Sequence, residues 1–116
     1  MINLQIRRLI MYIRMTFVKV KPGKRDTARA LYNNEVIPAH QGRKGLRFVH
    51  LLESLDNKDE AVTVTAWDTR ADTEAYQKSE DYQKSLEQFK DMLTETPVVK
   101  SYEVTASSEP LILRIF

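Results

Sequence analysis

Residues 46–67, LRFVHLLESLDNKDEAVTVTAW, decide the fold. Their first eight, Leu46–Glu53, follow Gly45 and are rich in branched and aromatic side chains, as a strand is. Residues 54–59 (SLDNKD) form a polar run of turn formers, which reads as a hairpin connection. Glu60–Trp67 (EAVTVTAW) then alternates, with Ala61, Thr63, Thr65 and Trp67 on one face and Val62, Val64 and Ala66 on the other. Two strands across a short polar turn predict an antiparallel pair, and the rest of the chain must pack around it.

Upstream, residues 12–20 (YIRMTFVKV) alternate in the same way. Ile13, Met15 and Phe17 fall on one face; Arg14, Thr16, Val18 and Val20 fall on the other. Pro22-Gly23 turns the chain, and residues 24–37 carry Ala28, Leu31, Tyr32 and Val36 on one helical stripe, with Pro38 expected as the stop. Downstream, Thr69-Arg70-Ala71-Asp72 reads as a helix start, and the helix is expected to run to about Leu93. Its stripe is Ala75, Tyr82, Leu86, Phe89 and Leu93, with Tyr76 beside it, and a second N-cap fits at Ser79. Residues 98–104 (VVKSYEV) follow Pro97 as a fourth strand.

The order is βαββαβ. It predicts a ferredoxin-like α+β sandwich, a four-stranded antiparallel sheet with both helices on one face. The other sheet face carries Ile13, Met15, Phe17, Val62 and Val64, and only the termini remain to cover it. An apolar face of that size predicts a partner, most simply a second copy packed sheet to sheet.

At 116 residues the chain has the length of one domain. Residues 1–10 read as an N-terminal extension, with Met11 as a second candidate start, and residues 11–105 as the domain. Residues 106–116, ending in LILRIF, read as a tail expected to pack on the domain or its partner. Arg7, Arg8 and Arg14 interrupt every apolar run near the start, so a membrane span is not predicted and a cytoplasmic protein is expected. There is no cysteine, which excludes disulfides, thiolate nucleophiles and cysteine-held metals. Three glycines cannot build a phosphate loop, and no His/Asp/Glu cluster has metal-ligand spacing.

The net charge of +2 hides a split. Residues 1–50 hold 11 Lys/Arg against 2 acids, and residues 51–116 hold 7 against 14. The sign changes near the boundary of the two βαβ units. A basic helix with Lys24, Arg25 and Arg29 beside an acidic one with Glu74, Glu80, Asp81 and Glu87 accounts for the split without a nucleic acid. Glu60–Trp67 also lacks the aromatic-glycine signature of ferredoxin-like RNA-binding domains.

Four pieces of residues 11–104 resemble the antibiotic biosynthesis monooxygenase (ABM) family. They are the strand ending in Lys21-Pro22-Gly23-Lys24, the Ile37-Pro38-Ala39 helix end leading to Gly45, the strand closing on Trp67-Asp68, and the segment Ala75-Tyr76-Gln77-Lys78-Ser79-Glu80-Asp81-Tyr82. The resemblance implies a dimeric α+β barrel. It also implies one of several activities: cofactor-free oxygenation of aromatic polyketides, quinol oxidation, or oxygen-dependent haem degradation. The haem-degrading branch pairs its strand-end Trp with an Asn and a haem-ligating His. Those fall here at Thr16 and Leu86, and leucine cannot ligate iron.

The cofactor-free branch asks for less. It implies a monooxygenase without cofactor or metal, acting on a small aromatic or quinol. The cavity is expected between helices and sheet, lined by Thr16, Val18, Tyr32, Thr63, Thr65, Trp67, Tyr82 and Leu86. Trp67 and Thr63 are expected to position the ring, and His50 to serve as the base. His40, just past Pro38, reads as a solvated loop residue. Arg14, on the face of Thr16, is a candidate to hold an anionic substrate. The competing expectation is a non-enzymatic ligand-binding or stress-related module of the same fold, with its cavity closed.

Overall fold

The protein is described here by a computed structural model covering residues 10–108; the apolar LILRIF tail and all but the last residue of the N-terminal extension lie outside the described residues. The chain runs β1 (Tyr12–Lys19), α1 (Arg25–Leu31), a π-helical turn (Tyr32–Val36), α2 (Ile37–His40), β2 (Leu46–Glu53), β3 (Glu60–Trp67), α3 (Arg70–Gln77), α4 (Glu80–Phe89), a 3-10 turn (Lys90–Met92) and β4 (Val98–Glu103). The sheet order is β2-β3-β1-β4, antiparallel throughout, so the expected α+β ferredoxin-like fold is the one formed.

Register sets the two faces. Arg14 pairs with Thr65, Thr16 with Thr63 and Val18 with Ala61, and these residues face the helices. Ile13, Met15, Phe17, Val62 and Val64 face the other way, as their alternation predicts. The β2–β3 turn closes as its composition demands. The Ser54 hydroxyl accepts from the Asp56 and Asn57 amides, and the Asn57 side chain accepts from the Asp59 amide. A bulge at Arg47 shifts the β2 register by one residue, leaving Leu46 opposite Trp67 and Phe48 opposite Ala66.

The helices differ from expectation at Pro38 and in the buried stripe of the second, and the second breaks where a further N-cap fits at Ser79. Pro38 does not stop the first helix. The preceding turn widens, with the Ile37 amide donating to the Tyr32 carbonyl five residues back, and α2 restarts in a new register. Pro38 then sits in the opening turn of α2, where its missing N–H needs no partner. The second helix is two helices. The Ser79 hydroxyl accepts from the Tyr82 amide and caps α4, as Thr69 caps α3 through the Asp72 amide. On α3 Tyr76 is buried and Ala75 is exposed, the reverse of the expected stripe.

The charge split resolves differently from a helix-to-helix pairing. Arg25 and Arg29 both reach Glu53 at the end of β2, Arg43 reaches Asp81, and Arg47 reaches Asp68. Each pair joins the basic half to the acidic half, but only Arg43–Asp81 involves one of the acidic helices. No described helix is long and apolar enough to cross a membrane.

Candidate active site

The cavity lies where the inward residues of the two central strands face the helices. β1 contributes Arg14, Thr16 and Val18, and β3 contributes Thr63 and Thr65. Tyr32 and Val36 close it from the π-helical turn, Tyr76 from α3, and Tyr82, Ser85, Leu86 and Phe89 from α4; Leu93 and Pro97 finish one end. Its volume is about 80 Å³. A cavity of about 150 Å³ holds benzene, so one aromatic ring fits here only as neighbouring side chains give way.

The walls are graded. Alternation along β1 puts a charge at Arg14, a hydroxyl at Thr16 and a branched alkyl at Val18. Thr63 and Thr65 add hydroxyls beside Thr16 and Arg14, because register pairs them there. Three tyrosines add phenols. Burial pushes the Tyr32 phenol far above its ordinary value, with Tyr76 adding to the effect. Burial likewise lifts Tyr76 to about 12, helped by Tyr82 and Asp81 and opposed by Arg14 and Arg43. Both phenols are donors near neutral pH, not bases. No described lining residue is a carboxylate or an imidazole.

Of the expected lining residues, Thr16, Val18, Tyr32, Thr63, Thr65, Tyr82 and Leu86 are brought together. Trp67 is not among them. It is wholly buried behind the wall, its indole Nε1 donating to the Thr65 hydroxyl at 2.8 Å and its ring 5.2 Å from that of Tyr76. The indole thus holds the Thr65 hydroxyl from behind the wall.

His50 is also elsewhere. It pairs with Val64, so it stands on the open sheet face, exposed and 4.5 Å from the Phe48 ring. It cannot act as base in the cavity of its own chain. His40 is not solvated, because the helix continues past Pro38 and turns it inward. It is 2% exposed, its Nδ1 lies 2.6 Å from the Val36 carbonyl, and its ring rests on Tyr76 at 4.8 Å. Nε2 is buried without a partner. Burial, chiefly, holds this imidazole below its ordinary value, so it is neutral at pH 7.

Arg14 and Tyr76 are the lining residues that sequence reasoning undervalued. Arg14 was in phase with Thr16, and that phase was the available signal. Tyr76 stood beside the expected helix stripe, and that position was its signal. With Leu86 where a haem ligand would stand and no lining histidine, the donors do not fit a histidine-held haem. Among the described residues, no group of three His, Asp or Glu could hold a metal ion.

The family model for antibiotic biosynthesis monooxygenases matches residues 11–88. Solved structures show the same fold at low identity. Rv0793 from Mycobacterium tuberculosis is 21% identical, covering 85% of this chain and 99% of its own, with a TM-score of 0.72. A candidate antibiotic biosynthesis monooxygenase from Bordetella bronchiseptica is 20% identical, covering 79% and 94%, with a TM-score of 0.71. NE2512, a protein of unknown function from Nitrosomonas europaea, is 14% identical, covering 89% and 97%, with a TM-score of 0.74. Among curated proteins, none matches the sequence.

Proposed function

This chain belongs to the antibiotic biosynthesis monooxygenase family, and on that premise we propose that it is a cofactor-independent monooxygenase of a small aromatic quinol. One observation carries the reading: the cavity is apolar in most of its walls but opens threonine hydroxyls and a guanidinium to its ligand. A closed, side-chain-filled interior, as expected of a non-enzymatic module, would turn no such polar groups to a cavity.

The chemistry follows from oxygen being a triplet. An ionised, electron-rich ring must supply the first electron itself. For a hydroquinone the balance is hydroquinone plus O2 to hydroxyquinone plus water. The ring anion passes one electron to O2, and the two radicals join in a C–O bond. The O–O bond then breaks, and hydroxide leaves with the proton of the same carbon as water. The substrate loses four electrons and O2 gains four, so no external reductant enters.

The protein binds, orients and keeps water out. Thr16 and Thr63 hydrogen-bond the ring oxygens, and Thr65 does so from the position that Trp67 holds. Val18, Leu86 and Phe89 take the ring. No side-chain base takes part.

The enzyme is a homodimer in this reading. The helices occupy one sheet face, and on the other Leu52, Val98 and Tyr102 are each 46–49% exposed beside Met15 and Phe17. An apolar face of this kind is satisfied by a second copy about a two-fold axis.

The test is oxygen uptake with a panel of hydroquinones and anthrones, measured beside a Leu86→Trp variant that fills the cavity. Uptake at least about tenfold above the variant, strongest with one-ring hydroquinones, is expected. Uptake no faster than that of the filled variant across the panel removes the proposal.

A further inference from the structure

Arg14 is the most buried arginine among the described residues and the one without a carboxylate. Arg25, Arg29, Arg43, Arg47 and Arg70 each pair with an acid. Arg14 is 4% exposed, its Nε has no partner, and no ion pair among the described residues includes it. Its one described partner is the face of the Tyr82 ring, 4.8 Å from the guanidinium carbon. A ring quadrupole offsets part of a cation's desolvation and leaves its hydrogen-bonding fork unfilled.

Arg14 lines the cavity. Arg14 is fixed from both sides by the sheet, opposite Thr65 on β3 and Ser101 on β4. Around it in the cavity stand the hydroxyl-bearing Thr65, Tyr76 and Tyr82, and no carboxylate. Asp81, whose charge is felt at Tyr76, is engaged by Arg43 at 3.2 Å. The described walls therefore carry one positive charge and no negative one.

Given the reading of this cavity as an active site, we propose that it takes its ligand as a one-ring phenolate, with Arg14 as the counter-charge. An uncompensated buried guanidinium is tolerated where an anion completes it. The planar fork matches an oxyanion better than any lysine could. The same pairing explains how a site without a base handles a phenol. The proton leaves in bulk water, and Arg14 favours the ionised form inside. Orientation follows from β1. Arg14 and Val18 are four residues apart, roughly 13 Å along a strand. The oxyanion therefore lies at the Arg14 end and the ring toward Val18 and Phe89.

The test uses 4-nitrophenol and its neutral ether, 4-nitroanisole, with no oxidation involved. The absorbance of 4-nitrophenol distinguishes phenol from phenolate, and quenching of Trp67, the single tryptophan, reports binding of both. Bound 4-nitrophenol is expected to ionise at least about one pH unit below the free compound, a tenfold preference for the phenolate. Arg14→Met should abolish that shift and weaken phenolate binding at least about tenfold, leaving 4-nitroanisole within about twofold. Arg14→Lys should retain part of the shift.

Equal affinity of the wild type for the two probes overturns the assignment, as does a shift that persists in Arg14→Met. Absence of phenolate binding at millimolar concentration overturns it too. The wild-type comparison decides even where a variant fails to fold. Selective phenolate binding without oxygen uptake from any hydroquinone removes the oxygenase and keeps Arg14 as the anion site. Oxygen uptake with equal affinity for the two probes does the reverse.

Discussion

Trp67 Nε1 donates a 2.8 Å hydrogen bond to the hydroxyl of Thr65, two residues back on the same face of β3. Thr65 lines the cavity and Trp67 does not, so loss of the indole donor is expected to act through the threonine. Trp67→Phe keeps a ring but removes the donor and part of the packing against Tyr76. The expected cost is about 1–3 kcal/mol of stability in urea unfolding. Affinity for 4-nitrophenolate should fall a few-fold, much less than in Arg14→Met. A variant that binds normally but no longer consumes oxygen would instead make Trp67 a direct participant.

His40 predicts a pH dependence with a definite sign. Burial is the main cause of its lowered value; the Val36 carbonyl pulls the other way, Arg43 lowers it further and Asp81 raises it. Its unfolded value is near 6.5. The unfolded chain therefore binds the proton more readily than the folded one. The stability from neutral His40 is complete above pH 6.5 and is lost as pH falls toward the folded value. The slope from this one group is at most about 1.4 kcal/mol per pH unit. Urea titrations from pH 8 to 5 should show a shallower fall in His40→Gln than in the wild type. Parallel curves would mean that His40 binds its proton equally well in the folded and unfolded chains.

Strand patterning made most of the frame legible. Alternation identified β3 to the residue and put Arg14, Thr16 and Val18 on one face with each other, and branched and aromatic content after Gly45 identified β2. The failures have physical causes. Nothing in residues 32–38 signals a turn wide enough to carry the helix through Pro38, so the sequence alone reads His40 as a loop residue. Both faces of β2 are apolar, so its facing depends on a register that the Arg47 bulge resets, and this is where His50 went astray. Trp67 was on the correct face, but alternation cannot separate a cavity wall from the core behind it. That separation depends on Tyr76, which packs on the Trp67 ring from α3.

Gly45 should be the least replaceable of the glycines. It leads into β2 with φ +78°, and its carbonyl accepts from the Asp68 amide at 2.8 Å. A Cβ there would overlap the Asp72 carboxylate, in the first turn of α3. Gly42 has φ +79° and open space around it. Gly42→Ala should cost about 1–3 kcal/mol from backbone strain alone. Gly45→Ala should cost more, the difference measuring the clash. Equal losses in denaturant midpoint would show that Asp72 moves aside freely.

The open sheet face gives a mass prediction. Light scattering at micromolar concentration should give twice the 13.5 kDa chain mass. Leu52 and Val98 are 46% and 49% exposed, so Leu52→Glu/Val98→Glu should leave one chain's fold intact. The same change buries charge in a sheet-to-sheet contact, so the double variant should run at the chain mass with unchanged circular dichroism. A wild-type monomer would remove the homodimer.

Cavity size should govern ring number through Leu86. About 80 Å³ takes one ring with some movement of the walls and leaves no room for a second. Leu86 stands on the α4 wall, half-buried, with its side chain on the cavity. Leu86→Ala removes three carbons there at a cost of about 2–3 kcal/mol, the low end for such a truncation, because the site is partly exposed. Two-ring naphthohydroquinones should gain at least about tenfold in oxygen uptake relative to hydroquinone, since the pocket would then discriminate by space it no longer fills. Arg14 is untouched in this variant, so the preference for phenolate over anisole should persist. A ring preference unchanged in Leu86→Ala would place the ligand away from α4, against the strands alone.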